Sequence, residues 1–487
     1  MRQLRRTWSR SFVIPALLAP LFFTIAARTQ TSSAPSSPPA GQIIESVVCA
    51  GDPSQTYALY LPSNYSPAKT WPIIYAFDPL AYGKTPVKLY KDAAEKYGYI
   101  IAASNNSRNF QADAVSKAAE SVWEDTHARL AVDPRRVYMM GFSGGARVAT
   151  TLAIRCEPCA VAGVISHGAG YPGSFPASEK DRFTYFAFVG DKDFNWPEVT
   201  ELAREKQDWG AAYHLRVFPG EHQWAPPAIF PEALEWLQLK AMQAGTAPAD
   251  SAFIDQLFSK TQKEADDAAQ RKDTLAQFEA YRSLASDFSG LKDVAQYKAK
   301  LPALSNSPEM KLALKKQQDA IAQQRSLTQQ ISSQISQVGE ADFDAQPAMR
   351  TSIVDGMTGL KNKADHARND ETRLVLLRSF NDLWAQGIEA GQAELENKRF
   401  SKAEYYFQLM SSISPNEAWP ILLLAETSAA RGDKKRALKD LHEAVKRGLK
   451  NPDAIDKDTN LGTLHSEPEF QQIVADLKAK RDSPPAQ

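Results

Sequence analysis

Between Tyr57 and about Gln243, short apolar runs alternate with longer stretches whose apolar positions recur every three or four residues. Such an alternation predicts strands and helices in turn, and therefore a mostly parallel sheet covered by helices. Strands are expected at TYALYL from Thr56, PIIYAF from Pro72, YIIAAS from Tyr99, RVYMMG from Arg136, VAGVIS from Val161, TYFAFV from Thr184 and HLRVF from His214. Their apolar residues are nearly continuous, as a strand buried on both faces requires. QADAVSKAAESVWEDTHARLA from Gln111 and PEVTELAREKQDW from Pro197 read as helices between them, and PEALEWLQLKAMQAG from Pro231 closes an α/β domain over 42–245.

Past GTAPADSA at 245–252 the strand pattern stops, and the chain becomes rich in Ala, Gln, Lys and Leu. Ile321, Leu327, Ile331, Ile335 and Val338 recur near one or two helical turns amid KKQQDAIAQQRSLTQQ, which predicts a polar helix with one apolar stripe and a scaffold role within a helical region over 253–380. Over 381–480 a repeat emerges. Ala437 lies 34 positions after Ala403, Phe407 follows Ala403 in A-x-x-x-F spacing, Gly391 holds the small position of a first helix, and Pro415 ends the unit. Leu424, Ala425, Gly432, Ala437, Leu441 and Ala444 fill a second unit in register. Small residues let two helices approach while Phe407 or Leu441 fills the space between units, so this region resembles tetratricopeptide proteins. DTNLGTLHSEPEFQQIVADLK then reads as a capping helix, and a protein partner is expected at these repeats.

Arg2, Arg5, Arg6 and Arg10 precede an apolar run from Phe12 to Ala27, the pattern of a signal peptide over 1–28. The run is shorter than the roughly 20 residues a membrane span needs and contains Pro15 and Pro20, so cleavage is expected rather than anchoring. TQTSSAPSSPPAG at 29–41 is a Ser/Pro-rich tether, and the mature protein is expected outside the cytoplasm, periplasmic or extracellular, without a membrane anchor. Lys plus Arg and Asp plus Glu each count 57 in the 487 residues, a balance that removes any broad electrostatic case for nucleic acid. Cys49, Cys156 and Cys159 suggest a local disulfide or buried thiols, and no spacing of ligands points to a metal.

Gly141-Phe142-Ser143-Gly144-Gly145 fits G-x-S-x-G, in which a serine sits on a tight strand-to-helix turn and the glycines avoid clashing with it. A nucleophilic serine needs a base and a carboxylate to orient that base. TYFAFV runs into Gly190-Asp191-Lys192-Asp193, and HLRVF into Pro219-Gly220-Glu221-His222-Gln223-Trp224, at the strand ends where open sheets build sites. Ser143 is therefore the candidate nucleophile, His222 the base and Asp193 the acid, with Asp191 the alternative acid. Gly144 should offer one oxyanion N–H; Pro79 has none, so Leu80 is the candidate for the other. Phe142, His167 and Trp224 are placed around the pocket, while His214, at the opposite strand end, reads as structural.

VDPRRVYMMGFSGGARVA, Val132 to Ala149, resembles the nucleophile segment of polyhydroxybutyrate depolymerase-like and feruloyl esterase-like α/β-hydrolases, and GDKD and GEHQW resemble their acid and histidine segments. The resemblance spans roughly Cys49 to Gln243 and implies ester hydrolysis without a cofactor. One departure stands out, since Phe77-Asp78-Pro79 occupies the place of the usual His-Gly pair. The stretch from Cys159 to Thr184 is too short for a large lid, so an open site taking a bulky or polymeric ester is expected. The rival expectations are a catalytically silent hydrolase fold serving as a binding or assembly protein, and a serine peptidase.

Overall fold

One eight-stranded sheet organises the first half of the chain in the order β1-β2-β4-β3-β5-β6-β7-β8. The computed structural model describes residues 38–109, 111–156, 159–338, 346–456 and 458–482, so the expected signal peptide lies outside the described residues. The strands are β1 (Ile43–Val48), β2 (Thr56–Tyr60), β3 (Trp71–Phe77), β4 (Ile100–Ser104), β5 (Val132–Phe142), β6 (Gly163–His167), β7 (Thr184–Gly190) and β8 (Tyr213–Phe218). Only the β1–β2 and β2–β4 pairings are antiparallel; the others are parallel. Helices α1 (Lys84–Tyr97), α2 (Ala112–Arg129), α3 (Gly144–Arg155), α4 (Trp196–Asp208) and α5 (Pro231–Gln243) accompany it. This is the α/β-hydrolase fold.

The strands β3, β4 and β6 are buried at every position, so each face of the sheet carries its own apolar core. By contrast β1, which the apolar pattern does not predict, is a half-exposed edge strand whose residues never form a continuous run. β5 begins earlier than its apolar run because Asp133 is buried there, accepting from the Arg135 N–H (3.0 Å) and from Arg136 Nε (2.8 Å). Cys156 and Cys159 form a disulfide after α3, and Cys49 is a buried thiol whose pKa burial pushes up to about 11.

Every described helix or strand after Phe218 is helical. α6 (Ser251–Gln270), α7 (Thr274–Ser286), α8 (Ala295–Ser305), α9 (Pro308–Val338) and α10 (Gln346–Asp365) lead to α11 (Asp370–Glu396), α12 (Phe400–Ile413), α13 (Trp419–Ala430) and α14 (Lys434–Lys446), followed by α15 (Asp453–Asp456), a 3-10 turn at Thr459–Leu464 and α16 (Pro468–Asp482), so the segment expected as one capping helix is two elements. Leu239 and Met242 of α5 share a core with Leu284 and Phe288, so burial continues from the sheet region into the helices. In α9, Ile321 and Ile335 are buried, and Leu327 and Ile331 pack against the same core as α11 and α12; the side chain of Val338 lies outside the described residues. The boundary expected at 380/381 falls inside α11, a continuous helix of 27 residues.

Close approach of α11 and α12 depends on glycine. A Cβ on Gly391 would lie 2.4 Å from the Phe407 ring, and one on Gly387 would lie 2.5 Å from Met410 Sδ. Phe407 and Ala403 are fully buried in the resulting seam. Phe407→Ala would remove the ring and leave a cavity, costing about 3–5 kcal/mol. Denaturant unfolding followed by circular dichroism should show the midpoint drop.

Candidate active site

Ser143 occupies the turn between β5 and α3 with φ 52° and ψ −122°, a left-handed conformation that costs a non-glycine residue of order 1–3 kcal/mol. The flanking glycines are a matter of space. A Cβ on Gly141 would sit 2.1 Å from the Gly145 carbonyl oxygen, and one on Gly145 would sit 2.0 Å from the Phe77 carbonyl oxygen. The Ser143 N–H donates to the His167 carbonyl (2.9 Å), which fastens the turn to the end of β6.

The two candidate acids have different surroundings. Asp193 is fully buried, and each of its carboxylate oxygens lies 3.0 Å from His222 Nδ1. Oδ1 also accepts the Asn195 N–H at 2.8 Å. Asp191 instead accepts the Gly220 N–H through Oδ1 (3.0 Å), which ties the loop after β7 to the loop after β8. With Nδ1–H donated to Asp193, the other ring nitrogen of His222 is left as an acceptor, the tautomer a general base needs. Phe142 and Phe194 flank the imidazole at centroid distances of 4.6 and 4.3 Å. Gly168, at φ 66°, leaves the pair its room: a Cβ there would be 2.8 Å from Asp193 Oδ2 and 3.1 Å from His222 Nδ1. Asp193 and His222 are thus brought into contact. The Ser143 hydroxyl forms no hydrogen bond with His222 among the described residues.

Gly144 opens α3, where the first-turn N–H groups have no intrahelical acceptor. Leu80 does not offer the second donor. Its N–H is taken by Asp78 Oδ1 at 2.9 Å, and the same carboxylate accepts the Tyr82 N–H (3.3 Å) and, through Oδ2, Trp224 Nε1 (3.1 Å). Burial holds the Asp78 carboxyl above its usual range, and these donors only partly offset it. Trp224 therefore links the histidine loop to the loop after β3. Asn109, which no motif marks, has its carboxamide so close to the elbow that a Cβ on Gly144 would be 2.1 Å from its Oδ1. The Asn109 N–H donates to the Pro79 carbonyl at 2.9 Å.

His167 is a correction. It is fully buried and stacks on Tyr90 and Phe188, at 5.6 and 5.0 Å between ring centroids, so it does not line the pocket. Its Nδ1 accepts the Ala225 N–H (3.2 Å), which places the proton on Nε2, and burial pushes its pKa down to about 3. His214 is held neutral by burial in the same way, with its pKa down to about 4, and stacks on Phe186 at 4.7 Å.

The helical region also reaches the loops around the candidate site. Near its start, α11 touches the acid loop, where the Arg378 guanidinium donates to the Asp191 carbonyl (2.9 Å) and Asn381 Nδ2 to the Lys192 carbonyl (3.1 Å). Further along, the exposed Glu389 carboxylate comes within electrostatic range of His222 and Arg147. At its end, Gln392 and Leu395 line a small cleft together with Pro79, Asn109, Glu426 and Asn460. One helix of the C-terminal region thus meets the acid loop near its start and lines the cleft beside Asn109 at its end. No motif marks it, because its contacts depend on long-range packing. Among the described residues no group of three or more His, Cys, Asp or Glu is placed to hold a metal ion.

No family model matches the chain. No curated protein matches it either. Solved structures similar to it include S-formylglutathione hydrolase FrmB from Staphylococcus aureus, at 11% identity over 41% of this chain and 98% of that one, with a TM-score of 0.33. A feruloyl esterase module from Clostridium thermocellum, complexed with sinapinate, is 18% identical over 41% of this chain and 91% of its own, with a TM-score of 0.33. An esterase from Pyrobaculum calidifontis is 14% identical over 43% and 88% of the two chains, also at 0.33.

In the lining of the cleft, Arg108 pairs with Asp458 at 2.9 Å and approaches Glu426 at 3.8 Å. Burial and the neighbouring Asp458 raise the Glu426 pKa from 4.5 to about 8. With the folded value above the unfolded one, the stabilisation from neutral Glu426 is complete below the unfolded value and is lost as pH rises through the folded one. Glu426→Gln removes that titration. Thermal unfolding from about pH 5 to pH 8 should show its Tm rising relative to the unsubstituted protein as pH increases.

Proposed function

We propose that the protein is an exported serine hydrolase that cleaves carboxylic esters through an acyl-enzyme. The observation that carries this reading is the Asp193–His222 pair at the ends of β7 and β8, beside a serine held at positive φ at the end of β5. In this mechanism His222 Nε2 takes the Ser143 proton as Oγ attacks the ester carbonyl. The alcohol then leaves with that proton, and water attacks the acyl-enzyme by the reverse sequence, freeing the acid and restoring Ser143. Asp193 holds the imidazole in orientation and balances its charge. Gly144 N–H supplies one oxyanion donor, and the Asn109 carboxamide, next to it, supplies the second in place of the engaged Leu80 N–H.

Export is supported by the basic and apolar N-terminus and by the Cys156–Cys159 disulfide, a bond that persists in oxidising compartments. We read α11–α14 as two tetratricopeptide-like helix pairs, supported by the Gly391–Phe407 contact and by Gly432 at φ 92° in the turn between α13 and α14. The engaged Leu80 N–H and the hold of α11 on the acid loop favour one other reading, a silent hydrolase fold that binds a partner.

A fluorophosphonate probe should label Ser143, and the full chain should turn over p-nitrophenyl butyrate. Ser143→Ala should abolish labelling and lower kcat by about 10⁴-fold or more. Asn109→Ala should keep labelling and lower kcat by roughly 10²-fold, the usual effect of losing one oxyanion donor. Folded protein with neither labelling nor turnover would leave the silent reading standing.

A further inference from the structure

Arg378 is an unusual side chain to find in the interior. It is 4% exposed on α11, and among the described residues no carboxylate forms an ion pair with it. Removing a guanidinium from water is costly unless its donors are satisfied, and burial pushes the pKa of this one down to about 10 despite the nearby Asp191 charge. A methionine would fill the same volume without that cost. What the charge does instead is specific: Nη1 donates to the Asp191 carbonyl (2.9 Å), Nε donates to Gln324 Oε1 (3.1 Å), and the guanidinium lies 4.2 Å from the centre of the Trp196 ring.

Two neighbours complete the pattern. Asn381, also on α11, donates to the Lys192 carbonyl (3.1 Å), and Gln324 of α9 donates through Nε2 to the Phe194 carbonyl (3.1 Å). The remaining carbonyl in Asp191–Phe194 belongs to Asp193 and accepts the Trp196 N–H within the loop's own turn (3.0 Å). Every carbonyl of the acid loop is therefore occupied, three of them by side chains more than a hundred positions later in the chain. Backbone carbonyls fixed in this way determine where the Asp193 carboxylate points.

We propose that Arg378, aided by Asn381 and Gln324, is a positioning residue for Asp193, so that the helical region holds the acid loop in register with His222 and ester hydrolysis depends on it. The consequence for activity rests on the hydrolase reading above; the clamp itself does not. Arg378 touches no reacting atom and acts through the loop.

The test uses the full chain carrying Arg378→Met, Arg378→Lys or Asn381→Leu, with two readouts. Hydrogen–deuterium exchange should show faster exchange over 191–196 in Arg378→Met, with β5 and α3 unchanged. On p-nitrophenyl butyrate, kcat should fall about 10–100-fold while KM stays within about twofold, since displacement of a catalytic group by an ångström costs on that order. Arg378→Lys keeps a single charged donor and should recover part of both losses. Should Arg378→Met fail to fold, Asn381→Leu carries the same two readouts, with smaller effects. Accelerated exchange in a chain whose unsubstituted form hydrolyses no ester would uphold the clamp and defeat the hydrolase reading. Unchanged exchange and kcat in folded variants, or a rise in KM alone, would overturn the clamp.

Discussion

The contact between Asp193 and the His222 imidazole is what the edge of the sheet is arranged around. A carboxylate with no exposure to water needs donors on both oxygens, and only a small set of backbone positions can bring them there. Asn195 supplies one from the same loop, and His222 supplies the other from the end of β8. Gly168 must lack a side chain for the two to meet, and Asp191 must knit the loops together for the imidazole to arrive in place. Packing follows the same demand. Phe142 and Phe194 close on the ring, so the residue before the serine also sets the position of the imidazole.

Much of this was legible in the sequence because it is local. The glycines around Ser143 report a turn so tight that a single Cβ would strike Gly145 or Phe77. The strands were legible too, since β3, β4 and β6 have no exposed face and therefore no polar interruption. β1 was not, because an edge strand with one wet face carries little apolar signal. His167 follows a strand just as a pocket residue would; only the aromatic rings of Tyr90 and Phe188, from distant segments, reveal that it belongs to the interior.

The less legible part concerns relations between distant segments. Leu80 looks available until Asp78 is seen folding back on its N–H, a hydrogen bond that depends on loop geometry rather than residue type. Arg378 and Gln324 look like ordinary polar residues of a helical region, and nothing in its spacing distinguishes Gln324 from the exposed Gln323 and Arg325 on either side. Their burial is set by which face of α9 and α11 meets the sheet domain. The apolar stripe on α9 predicts a helix with a buried side, but not that a glutamine would be placed among the buried positions to reach a loop 130 residues earlier.

The continuity of α11 bears on where this chain could be divided. A unit ending at the last sheet helix would keep the G-x-S-x-G turn intact. Here the carbonyls flanking Asp193 are held by side chains from α9 and α11, and α11 has no break between the residues that hold them and those that pack against Phe407. A unit cut between the two halves would carry the serine, the histidine and the aspartate but leave behind the partners of the acid loop. The unit that keeps the acid-loop carbonyls paired is therefore longer than the sheet domain.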